Sequence, residues 1–247
     1  MKVLISAVGD TDPIRNFHDG ALVHIARKFR PEKIIIVFSE RTISKKDDIE
    51  KVILSIDSEY VPEIVYHEPI ILNKDVYVFD TMYDQFDAII QEYYTKDDEF
   101  ILNLSSATPQ IKSALFVINR LSEINVKAVQ VPTPAKKSNA GVRHDDSEDI
   151  DVLIDTNIDN KQDFVDRTIE DTSEKFKQGL MKKTLRDFIK KYDYKASLEI
   201  ANQLPDLPGL KDCRKKLQDI VDSLDRQAVP QVLQKKKWSE EQKKVLN

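Results

Sequence analysis

The sequence predicts an α/β chain, with a doubly wound, mostly parallel sheet over residues 1–132 followed by a smaller all-α part. Short apolar runs rich in β-branched residues recur through the first half. Stretches with helical spacing lie between most of them, and strand signals stop near residue 160. The expected strands are Lys2–Ala7 (KVLISA), Lys33–Ser39 (KIIIVFS), Glu63–His67 (EIVYH), Val76–Asp80 (VYVFD), Phe100–Leu104 (FILNL) and Lys127–Val131 (KAVQV). Near-continuous apolar strands such as Ile34–Phe38 suit a sheet covered on both faces, because such a strand buries both of its sides. Helical faces follow from steps of three and four: Phe17, Ala21, Ile25 and Phe29; Phe86, Ile89, Ile90 and Tyr93; Ile111, Leu115, Ile118 and Leu121.

Residues 133–160 break the alternation. Pro134, Gly141 and the acids Asp145, Asp146, Glu148, Asp149, Asp151, Asp155 and Asp159 read as a solvated acidic linker with little apolar area to offset ordering. Over residues 161–247, Phe164, Ile169, Phe176, Leu180, Leu185, Phe188 and Ile189 suggest one long helix or two. Leu198, Ile200 and Leu204 precede the breakers Pro205 and Pro208-Gly209. Leu210, Leu217, Ile220, Val221 and Leu224 give a further helix, and Pro230 starts a last one. This part carries 20 basic and 15 acidic side chains against 18 and 28 in residues 1–160, so it reads as a separate unit. The sequence stops within what reads as a continuing helix, and a following domain is expected.

Composition excludes several classes. A net charge of −5 argues against coating duplex DNA or an anionic membrane. The single cysteine, Cys213, leaves no disulfide framework or cysteine-rich zinc module. No run has the length of a membrane span, so a cytoplasmic location is the expectation. Five glycines, Gly9, Gly20, Gly141, Gly179 and Gly209, form neither G-x-G-x-x-G nor a Walker loop. His18 and His24 lack partner ligands in the sequence, and no metal is expected.

In a doubly wound sheet, ligands bind beyond the carboxyl ends of the strands, where strand order reverses. Two loops there stand out: Val8–Arg15 (VGDTDPIR) and Asn103–Lys112 (NLSSATPQIK). In the second, Thr108 suits a helix N-cap and Pro109 the first helical position. Hydroxyls of Ser105, Ser106 and Thr108, with Lys112 one turn in, suit an anionic phosphate at that helix start.

Those residues carry a family resemblance. NLSSATPQ, with Ala7–Arg15 (AVGDTDPIR) and Phe38–Thr42 (FSERT), resembles the CARF domain of type III-A CRISPR ribonucleases of the Csm group, streptococcal type. The likeness continues through Ile169–Phe176 (IEDTSEKF) and Asp193–Ile200 (DYKASLEI). The resemblance implies a homodimer that senses cyclic oligoadenylate, made by the type III interference complex, and activates a C-terminal HEPN ribonuclease in CRISPR antiviral defence. HEPN enzymes use an Arg followed by four to six residues and a His. None of His18, His24, His67 and His144 has that arrangement, so RNA would be cut only by a domain outside this sequence.

A two-fold pocket favours a ring with even symmetry, which four or six adenylates satisfy; the resemblance points to six. Expected ligand contacts are Gly9, Asp12, Arg15, Ser39, Asp80, Ser105, Ser106, Ala107, Thr108, Gln110 and Lys112, with Arg15 offering a fork to phosphate. Asp12, Asp80, Gln110 and the Ser39–Glu40 loop are the candidates for adenine edges. For Asp80, a helix cap before Thr81 is an equal reading. The pocket also suggests slow metal-free cleavage of its own ligand by ribose 2′-hydroxyl attack, aided by Thr108, Gln110 and Asn103. Activator aside, no cofactor is expected. A CARF-type transcription regulator is the alternative, and the absence of a recognition helix rich in Arg and Asn counts against it. A Ser–His type of enzyme is disfavoured, because neither loop holds a histidine at its strand end.

Overall fold

The computed structural model describes residues 1–71, 75–121, 124, 126–133, 149–161 and 164–226. In chain order the elements are β1 (Lys2–Ala7), β2 (Ile14–Arg15), β3 (His18–Asp19), α1 (Ala21–Phe29), β4 (Lys33–Phe38), α2 (Lys46–Leu54), β5 (Glu63–Ile71), α3 (Phe79–Tyr93), β6 (Glu99–Asn103), α4 (Pro109–Leu121), β7 (Val126–Gln130), α5 (Ile150–Thr156), β8 (Ile169–Glu170), α6 (Glu174–Lys190), α7 (Tyr194–Gln203) and α8 (Leu210–Asp225). Two compact units result, residues 1–172 and 173–247.

The first unit is a doubly wound α/β sheet of order β5-β4-β1-β6-β7-β8, parallel except for β8, which runs antiparallel to β7. Side chains alternate across it, as a pleated strand requires. Val3, Ile5, Ala7, Ile35, Val37, Phe100 and Leu102 meet Met82, Phe86 and Ile90 of α3 and Ile111, Leu115 and Ile118 of α4. Leu4, Ile34, Ile36, Phe38, Ile101 and Val129 meet Leu22 and Ile25 of α1 and Ile49, Val52 and Ile53 of α2. The chain winds outward from β1 to β5, then returns to place β6 on the other side of β1. Strand order therefore reverses between β1 and β6.

Four expectations are corrected. Val76–Asp80 is not a strand: Val78 is the N-cap of α3, and Tyr77, Val78 and Phe79 are 67%, 38% and 38% exposed. The helical face that continues through Met82 and Phe86 outweighs their β propensity. Phe17 lies before α1 at φ 60°, because the helix starts only after Gly20. The linker reading fails for residues 149–160. Asp149 caps α5, whose Ile150, Leu153 and Ile154 pack on the α1–α2 side, and Asp159 is buried. Three apolar residues at helical spacing sufficed for docking, although acids outnumber them.

Nor does helix begin at residue 160. Ile169 pairs with Gln130 and Glu170 with Val129, so the first compact unit extends past the expected boundary at 132 to Thr172. Gly141, His144, Asp145, Asp146, Glu148, Pro230 and Lys235–Trp238 lie outside the described residues.

In the second unit, α7 packs with both α6 and α8 around Leu185, Ala201, Leu204, Leu210 and Leu217. The Asp193 carboxylate accepts the Ala196 N–H at 3.1 Å and caps α7. Gly209, at φ 78°, supplies the left-handed turn into α8. Among the described residues no helix is long and apolar enough to cross a membrane.

Candidate ligand-binding site

Three loops meet beyond the carboxyl ends of β4, β1 and β6. The loop after β1 is fixed from inside. Asp12, 2% exposed, accepts the Gly9 N–H at 2.9 Å and the Leu22 N–H at 3.0 Å, joining the loop to the start of α1. Burial pushes its carboxyl up, against the Gly9, Ser106 and Leu22 hydrogen bonds and the Lys45 charge, which favour ionisation. Lys45 Nζ donates to the carbonyls of Gly9, Asp10 and Asp12 at 3.3, 2.9 and 2.7 Å.

The loop after β6 is built on Asn103, which is fully buried. Its Nδ2 donates to Ser6 Oγ at 2.9 Å and Ser106 Oγ at 3.0 Å, and its Oδ1 accepts the Ser105 N–H at 2.8 Å. Ser105 Oγ accepts the Val131 N–H at 2.6 Å. Thr108 caps α4 by accepting the Ile111 N–H at 3.3 Å, and its hydroxyl donates to the Val76 carbonyl at 2.9 Å. The two loops touch at backbone distance: a Cβ on Gly9 would stand 2.7 Å from Ala107 N. Glycine is required there for close approach. After β4, Thr42 Oγ1 accepts the Ser39 N–H at 3.0 Å, and Arg41 pairs with Asp10 at 3.1 Å in solvent.

These loops enclose a cavity of about 410 Å³ at the reversal of strand order. Of the expected residues, Gly9, Ser39, Ser105, Ser106, Ala107, Thr108 and Lys112 line it. Lys112 makes no ion pair among the described residues, so its charge faces the cavity uncompensated.

Five expected residues are placed elsewhere. Asp12 is buried behind the cavity, where it holds the loop and α1, and does not line the cavity. Asn103 is spent on loop architecture, and Gln110, half-buried in the first turn of α4, is outside the lining. Of the trio expected to assist ligand cleavage, Thr108 lines the cavity, Asn103 lies behind the loop and Gln110 is outside the lining. Asp80 is an exposed residue in the first turn of α3, neither a cavity residue nor the cap. Arg15, on β2, faces a neighbouring crevice with Thr11, Ser105, Thr133 and Arg167.

The sequence reading missed Thr11, Arg41, Thr42 and Thr133 on the walls and Lys45 behind them. Applying the strand-end rule to the whole loop after β4 would have found Arg41 and Thr42. Nothing local marks Lys45, because its partners are carbonyls more than thirty residues away.

Beside the crevice, Asp19, His24 and Asp159 bring potential ligand atoms within 4.8 Å of one another. Arginines occupy the carboxylates. Arg27 Nε and Nη2 donate to Asp19 at 2.6 and 3.1 Å, and Arg167 Nη2 donates to Asp159 at 3.0 Å. The Arg167 N–H donates to His24 Nε2 at 3.0 Å, which directs that nitrogen's lone pair away from any ion. Burial would raise the Asp159 carboxyl. The facing His24, the Asp19 N–H, the Arg167 charge and His18 outweigh it and hold that carboxyl well below the usual range.

Comparison with known proteins adds to this geometry. Residues 63–168 match the model of the Csm6 CARF domain. Over all 247 residues the chain is 61% identical to the CRISPR system endoribonuclease Csm6′ of Streptococcus thermophilus, covering 64% of that protein. The family model and this relative thus agree on a likeness to Csm6. It is also 45% identical to Csm6 of S. thermophilus, covering the whole chain and 59% of that protein. The structure of Enterococcus italicus Csm6 bound to cyclic hexa-2′-fluoro-hexa-dAMP superimposes with a TM-score of 0.68 at 25% identity, covering 93% of this chain and 56% of that one. The chain thus spans somewhat under two thirds of the Csm6 relatives it matches.

Proposed function

We propose that this chain is the sensor part of a Csm6-type CRISPR defence protein. Its switch-point cavity binds cyclic oligoadenylate, a ring of six adenylates being the favoured form, and two copies share one ring across a two-fold axis. The observation that carries this reading is the cavity between the loops after β1 and β6, walled by hydroxyls and backbone amides with an uncompensated Lys112. Hydroxyl and amide donors with a lysine suit phosphate, and the loops are held from behind, so little ordering is needed on binding. The Enterococcus relative, named as bound to a cyclic hexa-adenylate analogue, supports the ligand class.

A cavity of about 410 Å³ is the size of a site for one small molecule. A ring of several nucleotides outgrows it, which supports completion of the site by a second copy. In the longer relatives, named as endoribonucleases, occupancy would be transmitted to a nuclease domain. The ring would come from the type III interference complex, as the family resemblance implies.

The test is thermal unfolding with excess ligand. Ligand at a hundred times its Kd stabilises by about 2.7 kcal/mol, which moves the midpoint measurably. Cyclic hexa-adenylate should raise the midpoint of the first unit and AMP should not. No shift with any cyclic adenylate at millimolar concentration would overturn the reading.

A further inference from the structure

Helix α6 of the second unit concentrates positive charge on one side. It holds six basic and two acidic residues, whereas α8 holds four of each. Glu174 is taken by Lys177. Lys175, Lys182, Lys183, Arg186 and Lys190 are exposed, and none makes an ion pair among the described residues. At 3.6 residues per turn these five fall within about 100° of one another around the helix. Asp187 flanks the arc at its Lys183 edge. Lys182, Arg186 and Lys190 are four apart, about 6 Å per step along the axis. Like charges at that spacing repel, so the row costs the helix stability.

Two further residues suit this helix poorly. Gly179 lies inside the same arc, in the helix interior, where only proline is a worse choice. A Cβ there would meet nothing within 4 Å, so no packing among the described residues calls for glycine. Tyr192, just past α6, has φ 62°, a conformation that glycine adopts without penalty. Its ring is 76% exposed and meets Tyr194 edge-on at 6.4 Å. The backbone gains nothing from tyrosine at that turn, so what the position supplies is the ring.

These features share one explanation. A row of unpaired cations attracts a row of phosphates, a missing side chain lets a backbone come close, and an open aromatic face takes a base. A single strand of nucleic acid brings phosphates and unstacked bases together. A duplex keeps its base faces stacked, and an acidic peptide has no base to lay on Tyr192.

We infer that α6 and Tyr192 form a binding surface for single-stranded nucleic acid. The strand's phosphates run along Lys175, Lys182, Arg186 and Lys190 over the gap at Gly179, and a base stacks on Tyr192. The surface lies wholly in the second unit and does not depend on the ring reading. The chain's net charge of −5 conceals it, because 28 of the 43 acids stand in residues 1–160.

The test is fluorescence anisotropy of a short labelled strand, RNA in one series and DNA in another, titrated with the whole chain at several salt concentrations. Four bound phosphates predict a slope of log K against log salt of about −2.8. Lys182→Gln/Arg186→Gln should weaken binding about tenfold and take about 1.4 from that slope. Lys211→Gln/Lys215→Gln on α8 removes the same charge and should change little. Tyr192→Asn should weaken binding roughly fivefold or more with the slope unchanged, since the ring is neutral, and its unfolding midpoint should not fall. Gly179→Leu improves the helix and fills the gap, so it should weaken binding without lowering the midpoint. Excess cyclic hexa-adenylate should leave the strand bound. The inference is overturned if neither strand binds, if the α8 variant loses as much affinity as the α6 variant, or if the ring displaces the strand. Displacement by polyglutamate as readily as by unlabelled strand would overturn it too, in favour of an acidic protein partner.

Discussion

At the scale of single residues, the site depends on two positions that make no use of charge. Gly9 lets the loops after β1 and β6 approach at backbone distance, since any Cβ there would meet Ala107 N at 2.7 Å and Ser106 Cα at 3.2 Å. Gly9→Ala must therefore part the loops, and its expected effect is at least a tenfold loss of ring affinity with the circular dichroism spectrum unchanged. Asn103 satisfies two buried hydroxyls and an amide at once. Asn103→Ala removes one partner from each of those groups, leaving Ser6 only the Ala7 carbonyl and Ser106 only Asp12, and should cost about 1–3 kcal/mol in denaturant unfolding. An unchanged midpoint would show that the loop holds its shape without the amide. Both residues were picked from the sequence as ligand contacts or helpers. The structure gives Asn103 the supporting role, because a side chain inside the strand-end turn is consumed by the turn's own donors.

At the scale of elements, the strap from α5 to β8 is held to the first unit by buried polar bonds. Asp159 accepts the Asp19 N–H at 2.8 Å and the Arg167 guanidinium, and Asn157 donates to Asp19. The Asp159 carboxyl is held below its ordinary value in the folded chain, so the folded state resists protonation more than the unfolded state does. Its contribution to stability is full above the ordinary carboxylate range and is lost as pH falls through the folded value. Asp159→Asn should lower stability at pH 7 and flatten its decline between pH 5 and pH 2, as followed by urea unfolding across that range. A decline as steep as that of the unaltered protein would place the acid-sensitive group elsewhere. This strap was the least legible part of the sequence. Its acids read as solvated, whereas the partners that hold Asp159 are His18 and the Asp19 N–H on β3 and Arg167 from beyond the stretch itself, a pairing no local pattern displays. Strands β1, β4 and β6 were legible because each is a largely apolar run in a sheet covered on both faces, and β7 because Val126, Ala128 and Val129 keep enough of that pattern around Lys127. Val76–Asp80 misled for the same reason: an apolar run of that length does not say whether it belongs to a strand or starts a helix.

At the scale of the whole molecule, strand order decides where function resides. The reversal between β1 and β6 brings two loops nearly a hundred residues apart in sequence into one wall, and the sequence located both through the strand-end rule. The rule could not tell which side chains turn outward. The lining that resulted is richer in hydroxyls than expected, with Thr11, Thr42 and Thr133 added, and its carboxylates change from Asp12 and Asp80 to Asp10, which Arg41 pairs at 3.1 Å. That shift makes the cavity more hospitable to a polyanion. The central claim is that two such cavities form one cradle for a ring, and stoichiometry tests it most directly. Calorimetric titration with cyclic tri-, tetra-, penta- and hexa-adenylate should give one ring per two chains and tightest binding for six. One ring per single chain, or equal affinity for all four sizes, would contradict it.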